Sequence, residues 1–165
     1  MDKALYILTE LDVKTQHILS GYYESLVSQG LTGTQTKNIP YHISLGRYPC
    51  EMESQLVRHL GEVTANQREI PVRFDHIGLF GLNVLFFAPN VTHELLSIHD
   101  RLMLPGAIDE FTWFPHVTLL IDEPDNILKA LPITVGQLTP LAAQINVIGL
   151  YEFFPKKLIK QFILK

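Results

Sequence analysis

The sequence predicts an α+β fold with a mainly antiparallel sheet arranged as two similar lobes. Three observations lead there. Strand-like and helix-like segments are mixed without strict alternation. One pair of strands is joined by a turn too short for a helix, while other strands are separated by helical crossovers. Two segments far apart in the chain repeat one pattern, Tyr41-His42-Ile43-Ser44-Leu45 and Pro115-His116-Val117-Thr118-Leu119.

Ala4 to Leu11 is aliphatic-rich and reads as a buried strand that ends at Asp12, a helix N-cap residue. Ile18, Leu19, Tyr22, Tyr23, Leu26 and Val27 recur at helical spacing, and Gly30 stands where a glycine stop belongs. Residues 32–38 form a polar loop. Ile39 to Gly46 reads as a short strand, and Met52, Leu56, Leu60 and Val63 mark a second amphipathic helix. Ile70 to Phe80 and Val84 to Ala88 make a hairpin around Gly81-Leu82-Asn83. A third helix is predicted over Thr92 to Leu104, ended by Pro105-Gly106. Phe111 to Ile121, dense in aromatic and β-branched residues, is predicted as a strand. Pro124 then opens a short helix through Leu131. Ala143 to Phe154 and Leu158 to Leu164 close the chain as strands around Pro155-Lys156-Lys157.

The 165 residues are 47% apolar and 18% charged, without linker or low-complexity segment, so residues 1–165 read as one domain. A chain of this size buries about 70% of its unfolded surface and sustains a core without disulfides or a structural metal. The single cysteine, Cys50, has no internal partner, and no Cys/His cluster has zinc spacing. The opening stretch, Met1 to Leu11, is too short and too charged for a signal peptide or membrane span. A cytoplasmic protein with no membrane partner is expected, and the Asn90-Val91-Thr92 triplet is then accidental. A net charge of -4 argues against long duplex DNA as a partner, which needs a basic surface. An anionic ligand must be gripped locally.

The repeated segments supply such a grip. In a strand, residues two apart share a face, so His42 and Ser44 point one way while Ile43 and Leu45 point into the core, and His116 and Thr118 do likewise. At this composition, two copies of His, apolar, hydroxyl, Leu are on the order of a one-in-a-thousand coincidence. The competing reading makes each His a half-buried strand residue bonded to its neighbour's hydroxyl. Two imidazoles, with unperturbed pKa values near neutrality, can serve as a base and an acid without a metal. The hydroxyls of Ser44 and Thr118 can donate to an anionic ligand.

These paired motifs resemble those of the 2H phosphoesterase superfamily, which includes 2′-5′ RNA ligase-like proteins and 2′,3′-cyclic phosphodiesterases and whose signature is two His-x-Thr/Ser motifs. The chain length, Pro115, and the 74 positions from His42 to His116 fit that resemblance. It implies two lobes flanking a central cleft with helices packed outside, no metal or other cofactor, and a nucleotide or RNA terminus as substrate. In-line displacement at a phosphodiester needs one proton removed from the attacking oxygen and another given to the leaving oxygen, and the resemblance implies that His42 protonates the leaving oxygen, that His116 activates water, and that Ser44 and Thr118 donate to the non-bridging phosphate oxygens. Hydrolysis of a 2′,3′-cyclic phosphate is the leading expectation. Reversible 2′-5′ ligation, or nucleotide or RNA binding without catalysis, are the alternatives. The chain departs from many relatives after the second motif, where Leu120-Ile121-Asp122 replaces a Gly and Arg.

Secondary candidates flank the motifs. Arg47 and Tyr48 could supply charge and a stacking ring, although Arg47 falls out of phase with Ser44 in a regular strand. Phe114 shares the face of His116 and could stack a base, whereas Trp113 points the other way. Tyr41 is a comparable edge residue. The remaining histidines, His17, His59, His76, His93 and His99, have no paired motif and read as surface, rim or core residues. A metal centre of His42, His76 and His116 lacks a carboxylate or Cys at suggestive spacing. Lys156, Lys157, Lys160 and Lys165 form one basic cluster, read as a solvated strand edge unless it borders the cleft.

Overall fold

The computed structural model describes residues 3–108 and 112–165. Its elements run β1 (Ala4–Leu11), α1 (Val13–Val27), β2 (His42–Tyr48), α2 (Glu53–Thr64), β3 (Ile70–Phe80), β4 (Val84–Pro89), α3 (His93–Leu102), β5 (Val117–Ile121), α4 (Pro124–Gln137), β6 (Leu141–Phe153) and β7 (Lys157–Ile163). The order is a duplication: β1-α1-β2-α2-β3 repeats as β4-α3-β5-α4-β6. All pairings are antiparallel and follow the order β2-β1-β6-β3-β4-β5, with β7 added on β6. Exchanging β1 with β4, β2 with β5 and β3 with β6 leaves that order unchanged, so a pseudo-dyad passes between β3 and β6. Helix contacts obey the same exchange, α1 against α4 and α2 against α3. The motif strands β2 and β5 are therefore the two ends of one sheet, which bends to bring them near each other without closing.

Apolar alternation sets which face is buried. Leu5 and Ile7 of β1, Ile43 and Leu45 of β2, Val117 and Leu119 of β5, and Leu150 of β6 enter one continuous core with the inner faces of all four helices. Burial of that surface, at about 25 cal/mol per Å², is what holds the motif strands in place. The opposite face of β1 and β6 carries a smaller cluster of Leu8, Tyr151 and Phe153, which forms the cleft floor. No helix among the described residues is long and apolar enough to cross a membrane.

Local signals hold where they rest on caps. Asp12 accepts the Thr15 amide and Thr92 accepts the Leu95 amide, starting α1 and α3. Three boundaries differ from expectation. The strand expected from Ile39 begins at His42 and continues to Tyr48. The strand expected from Phe111, a residue outside those described, begins at Val117; residues 112–116 are unpaired, because Pro115 has no amide to donate and the ladder to β4 starts at Phe87 opposite Val117. The helix expected to end at Leu131 continues to Gln137 through Pro132. Its buried face, Ile127, Ala130 and Thr134, is apolar enough to outweigh one lost hydrogen bond on the exposed Leu128 side.

Two glycines permit close crossings under the site. A Cβ on Gly149 would lie 2.5 Å from the Tyr151 ring and 2.8 Å from a Glu10 carboxylate oxygen, and one on Gly78 would lie 2.4 Å from the Phe86 ring. Gly149→Ala is expected to cost about 1–3 kcal/mol in a denaturant melt, because a buried ring and a buried carboxylate must both move.

Candidate active site

Each motif histidine is held by its own strand's approach. His42 Nδ1 lies 2.7 Å from the Pro40 carbonyl and His116 Nδ1 lies 2.8 Å from the Phe114 carbonyl. A carbonyl can only accept, so both Nδ1 atoms carry hydrogen and both Nε2 atoms are left to exchange a proton with a ligand. Neither Nε2, nor Ser44 Oγ, nor Thr118 Oγ1 has a hydrogen-bond partner among the described residues. Four proton-handling groups, two from each end strand, are thus unspent.

The two ends are tied across the gap. The Trp113 indole donates to the Ser44 carbonyl at 2.8 Å, and the Trp113 ring stacks on His99 with centroids 3.9 Å apart. His99 is thus a support for the second motif, and Trp113 a clamp between the motifs. Farther along β5, the Thr34 amide donates to the Ile121 carbonyl, and Gln35 accepts the Ile121 amide. The 32–38 loop therefore seals the end of the cleft against β5.

A cavity of about 570 Å³ opens from the motifs, with His42, Ser44 and Thr118 on its wall. Its other walls include Tyr6, Leu8 and Phe153 from the floor and Lys37, Asn38 and Tyr41 from the loop after α1. His116 stands outside this lining, half-buried, with Phe80 and Phe86 ring centroids 4.8 and 5.3 Å away. Burial holds His42 below the usual imidazole value of 6.5, and His116 lowers it further, while the Pro40 carbonyl and Glu10 raise it. Burial also lowers His116, opposed by the Phe114 carbonyl. The strands that carry the two motifs, β2 and β5, contact each other across the ends of the sheet.

The flanking candidates divide. Tyr48 is fully buried in the core, its hydroxyl accepting from the Leu104 amide and donating to the Leu104 carbonyl, so it is not a stacking ring; this corrects the expectation. Arg47 moves the other way. A β-bulge skips Leu45, so that Ser44 faces Leu8, Gly46 faces Ile7 and Arg47 faces Tyr6. The shift in phase puts Arg47 on the same face of the sheet as Tyr6, outside the cavity lining, its guanidinium 6.0 Å from the Tyr6 ring centroid and its Nε buried without a partner among the described residues. The expectation that Arg47 is out of phase assumed a regular strand; beside the bulge, Gly46 leaves room for Met103, whose Cε would lie 2.4 Å from a Cβ there. Phe114 is 50% exposed, edge-on to Phe80 and Phe86 beside His116, where a base could reach it.

Lys37 was not a sequence candidate, because a lysine in a polar loop carries no pattern. It lines the cavity, bonded to the Tyr23 hydroxyl at 2.6 Å and to the Thr32 carbonyl. The C-terminal lysines scatter: Lys156 bonds the Asn38 carbonyl at the cavity's edge, Lys160 lies over Phe162, and Lys165 bonds Asn66. His76 is exposed on β3, and among the described residues no group of three His, Cys, Asp or Glu side chains is arranged to hold a metal.

No family model and no curated protein matches the sequence. Solved structures do match over the whole chain. A protein described only as a phosphoesterase superposes with a TM-score of 0.67 at 15% identity, covering 99% of each chain. A protein of Thermus thermophilus superposes at 0.66 and 15% identity, covering 98% of this chain and 97% of its own. E. coli LigT complexed with 3′-AMP superposes at 0.64 and 15% identity, covering 99% of this chain and 98% of its own. At 15% identity these likenesses show the fold, the α+β arrangement that this chain shares with the phosphoesterase and LigT structures. In this fold the duplicated halves carry one His-x-hydroxyl motif each on β2 and at the start of β5, the two ends of the sheet, and β7 is the element that breaks the dyad.

Proposed function

We propose that the protein is a metal-independent phosphodiesterase that hydrolyses a nucleotide or RNA-end phosphodiester, a 2′,3′-cyclic phosphate above all. The observation that carries the reading is the matched pair of imidazoles, each with Nδ1 committed to a carbonyl and Nε2 free, beside two unpartnered hydroxyls. His116 Nε2 takes a proton from water as the water oxygen bonds to phosphorus. The bond from phosphorus to the ribose oxygen breaks, and that oxygen takes the proton held on His42 Nε2. Exchange with solvent then returns both imidazoles to their starting states. Ser44 and Thr118 donate to the non-bridging oxygens, and Arg47 adds charge from the first-motif side. E. coli LigT, of the same fold, has been crystallised with 3′-AMP, ATP and phosphate, which supports a nucleotide ligand here.

The test is a panel of nucleoside 2′,3′-cyclic phosphates assayed in EDTA with product analysis. Monophosphate formation is expected, and chelator-sensitive turnover contradicts the reading. Ligation of RNA ends without hydrolysis favours the ligase alternative. His-dependent binding of a nucleoside monophosphate without turnover favours a binding module.

Two further outcomes are expected. Thr118→Val removes one donor to the transition state and should lower kcat about tenfold, about 1.4 kcal/mol, with KM little changed. Because both imidazoles titrate below 6.5 and one must be protonated while the other is neutral, kcat/KM should peak below pH 6.5 and fall on the alkaline side as the acid loses its proton. The same depression links to stability. Above 6.5 neither state binds the protons, and as pH falls through 6.5 toward the lower folded values the unfolded chain binds them first, so stability falls.

A further inference from the structure

The cavity beside the motifs is larger than chemistry at one phosphorus requires, and its charge is one-sided. A volume of about 570 Å³ is in the range of pockets that enclose a whole small ligand. The chain holds 17 acidic residues against 13 lysines and arginines, yet no Asp or Glu stands among the described residues that line the cavity. Lys37 is the one lining side chain there with a permanent charge.

Lys37 is fixed without being neutralised. Its ammonium donates to the Tyr23 hydroxyl at 2.6 Å and to the Thr32 carbonyl at 2.5 Å, and lies 4.9 Å from the centroid of the Tyr23 ring. These partners are uncharged, and none of the ion pairs among the described residues includes Lys37. Asp122 is held low first by the Asn126 amide, then by the Glu123 backbone, and last by the charge of Lys37. Tyr41, on the same wall, is pushed up to about 12 by burial and stays a neutral hydroxyl. An ammonium has three hydrogens, so one donor is left for a ligand. The rotamer freedom of the side chain is given up before any ligand arrives, which lowers the cost of binding one. A second cation stands at the mouth: Lys156, in the turn before β7, donates to the carbonyl of Asn38, the lining residue next to Lys37.

We propose that Lys37 is the seat for a second phosphate of the substrate, the one on the 5′ side of the nucleoside whose 2′,3′ phosphodiester lies at His42, Ser44 and Thr118. The proposal rests on the phosphodiesterase reading above and narrows its substrate class. On such a nucleotide the base is neutral and the 2′ and 3′ oxygens are committed to the motifs. The 5′ substituent is then the only other anion that a cationic wall without acids can select. The 5′-monophosphate of a free nucleotide and the internucleotide phosphate of an RNA end share this chemistry. Lys37 takes no part in proton transfer; it sets which phosphodiesters are bound.

The test uses the full chain, and its first arm needs no turnover. By calorimetry, the wild type should bind adenosine 3′,5′-bisphosphate about tenfold tighter than adenosine 3′-monophosphate. Lys37→Gln should reduce that ratio to about twofold or less and leave the affinity for the 3′-monophosphate little changed, while Lys37→Arg should keep most of the ratio. Lys156→Gln should lose less than Lys37→Gln, because Lys156 stands outside the lining. No preference in the wild type, a preference that survives in Lys37→Gln, or equal loss in the two glutamine variants would overturn the proposal, the last by showing general attraction and not a seat. A kinetic arm compares kcat/KM on adenosine 2′,3′-cyclic phosphate, its 5′-phosphorylated form and a dinucleotide ending in the same cyclic phosphate. A Lys37-dependent gain of about tenfold on the 5′-phosphorylated nucleotide alone supports the seat and assigns it to a free nucleotide; the same gain on the dinucleotide as well supports it and assigns it to an RNA end. Tighter binding of the bisphosphate with no cyclic phosphate hydrolysed keeps the seat and removes the phosphodiesterase reading, and hydrolysis with no 5′ preference does the reverse.

Discussion

His116→Ala is expected to lower kcat/KM by about 10²–10⁴-fold on every phosphodiester, whatever its leaving group. In the proposed mechanism the attacking water is the same in each case, and without an imidazole at this position the second motif offers only the Thr118 hydroxyl and the apolar Phe114. The half-buried ring packs against Phe80 and Phe86 at the rim of the cleft, outside the continuous core. Removing it should leave the melting transition within about 1 kcal/mol of wild type, so a lost rate is a chemical loss. A rate profile of the variant on both a nucleoside 2′,3′-cyclic phosphate and bis(p-nitrophenyl) phosphate checks this, and recovery on the second substrate would move the base elsewhere.

His42→Ala should behave differently. A ribose oxygen is a poor leaving group and needs a proton as the bond to phosphorus breaks, so loss on a cyclic nucleotide should again be about 10²–10⁴-fold. A p-nitrophenolate leaves without one. On bis(p-nitrophenyl) phosphate the same variant should retain most of its rate, about tenfold loss or less. The contrast between the two histidines across two leaving groups assigns acid and base without any spectroscopic probe. It follows from the proposed roles, in which His42 protonates the leaving oxygen and His116 activates water.

The sequence made the four motif residues legible because period-two alternation is local: His42 with Ser44, and His116 with Thr118, share a face whatever the rest of the chain does. The α+β class followed from the same local signals, caps and turns. Features that depend on an irregularity or on a distant strand were hidden. Arg47 reaches the face of Tyr6 only because a bulge beside Gly46 reverses the phase, and Tyr48 is carried into the core by the same reversal. Lys37 sits in a segment with no motif of its own. It acquires meaning from the loop after α1 lining the cavity, with its amine bonded to Tyr23 and Thr32. Trp113 was read by alternation as pointing away from Phe114, but its hydrogen bond to Ser44, 69 positions earlier, is a tertiary fact.

The duplicated order explains why two weakly similar halves suffice. Each half buries its own Ile43/Leu45 or Val117/Leu119 pair, and that burial presents the intervening polar residues to the cleft. At the motifs themselves the halves differ in Ser44 against Thr118, and β7 has no counterpart in the first half. The net charge of -4 is compatible with this plan, because one phosphodiester held by imidazoles, hydroxyls and a nearby guanidinium needs no basic surface.

The most direct test of the two-histidine account is the rate of hydrolysis of a nucleoside 2′,3′-cyclic phosphate in EDTA by the wild-type chain, His42→Ala and His116→Ala, measured side by side on folded protein. The account predicts turnover by the wild type and loss of about 10²–10⁴-fold in each variant. A wild-type rate in either variant would contradict it.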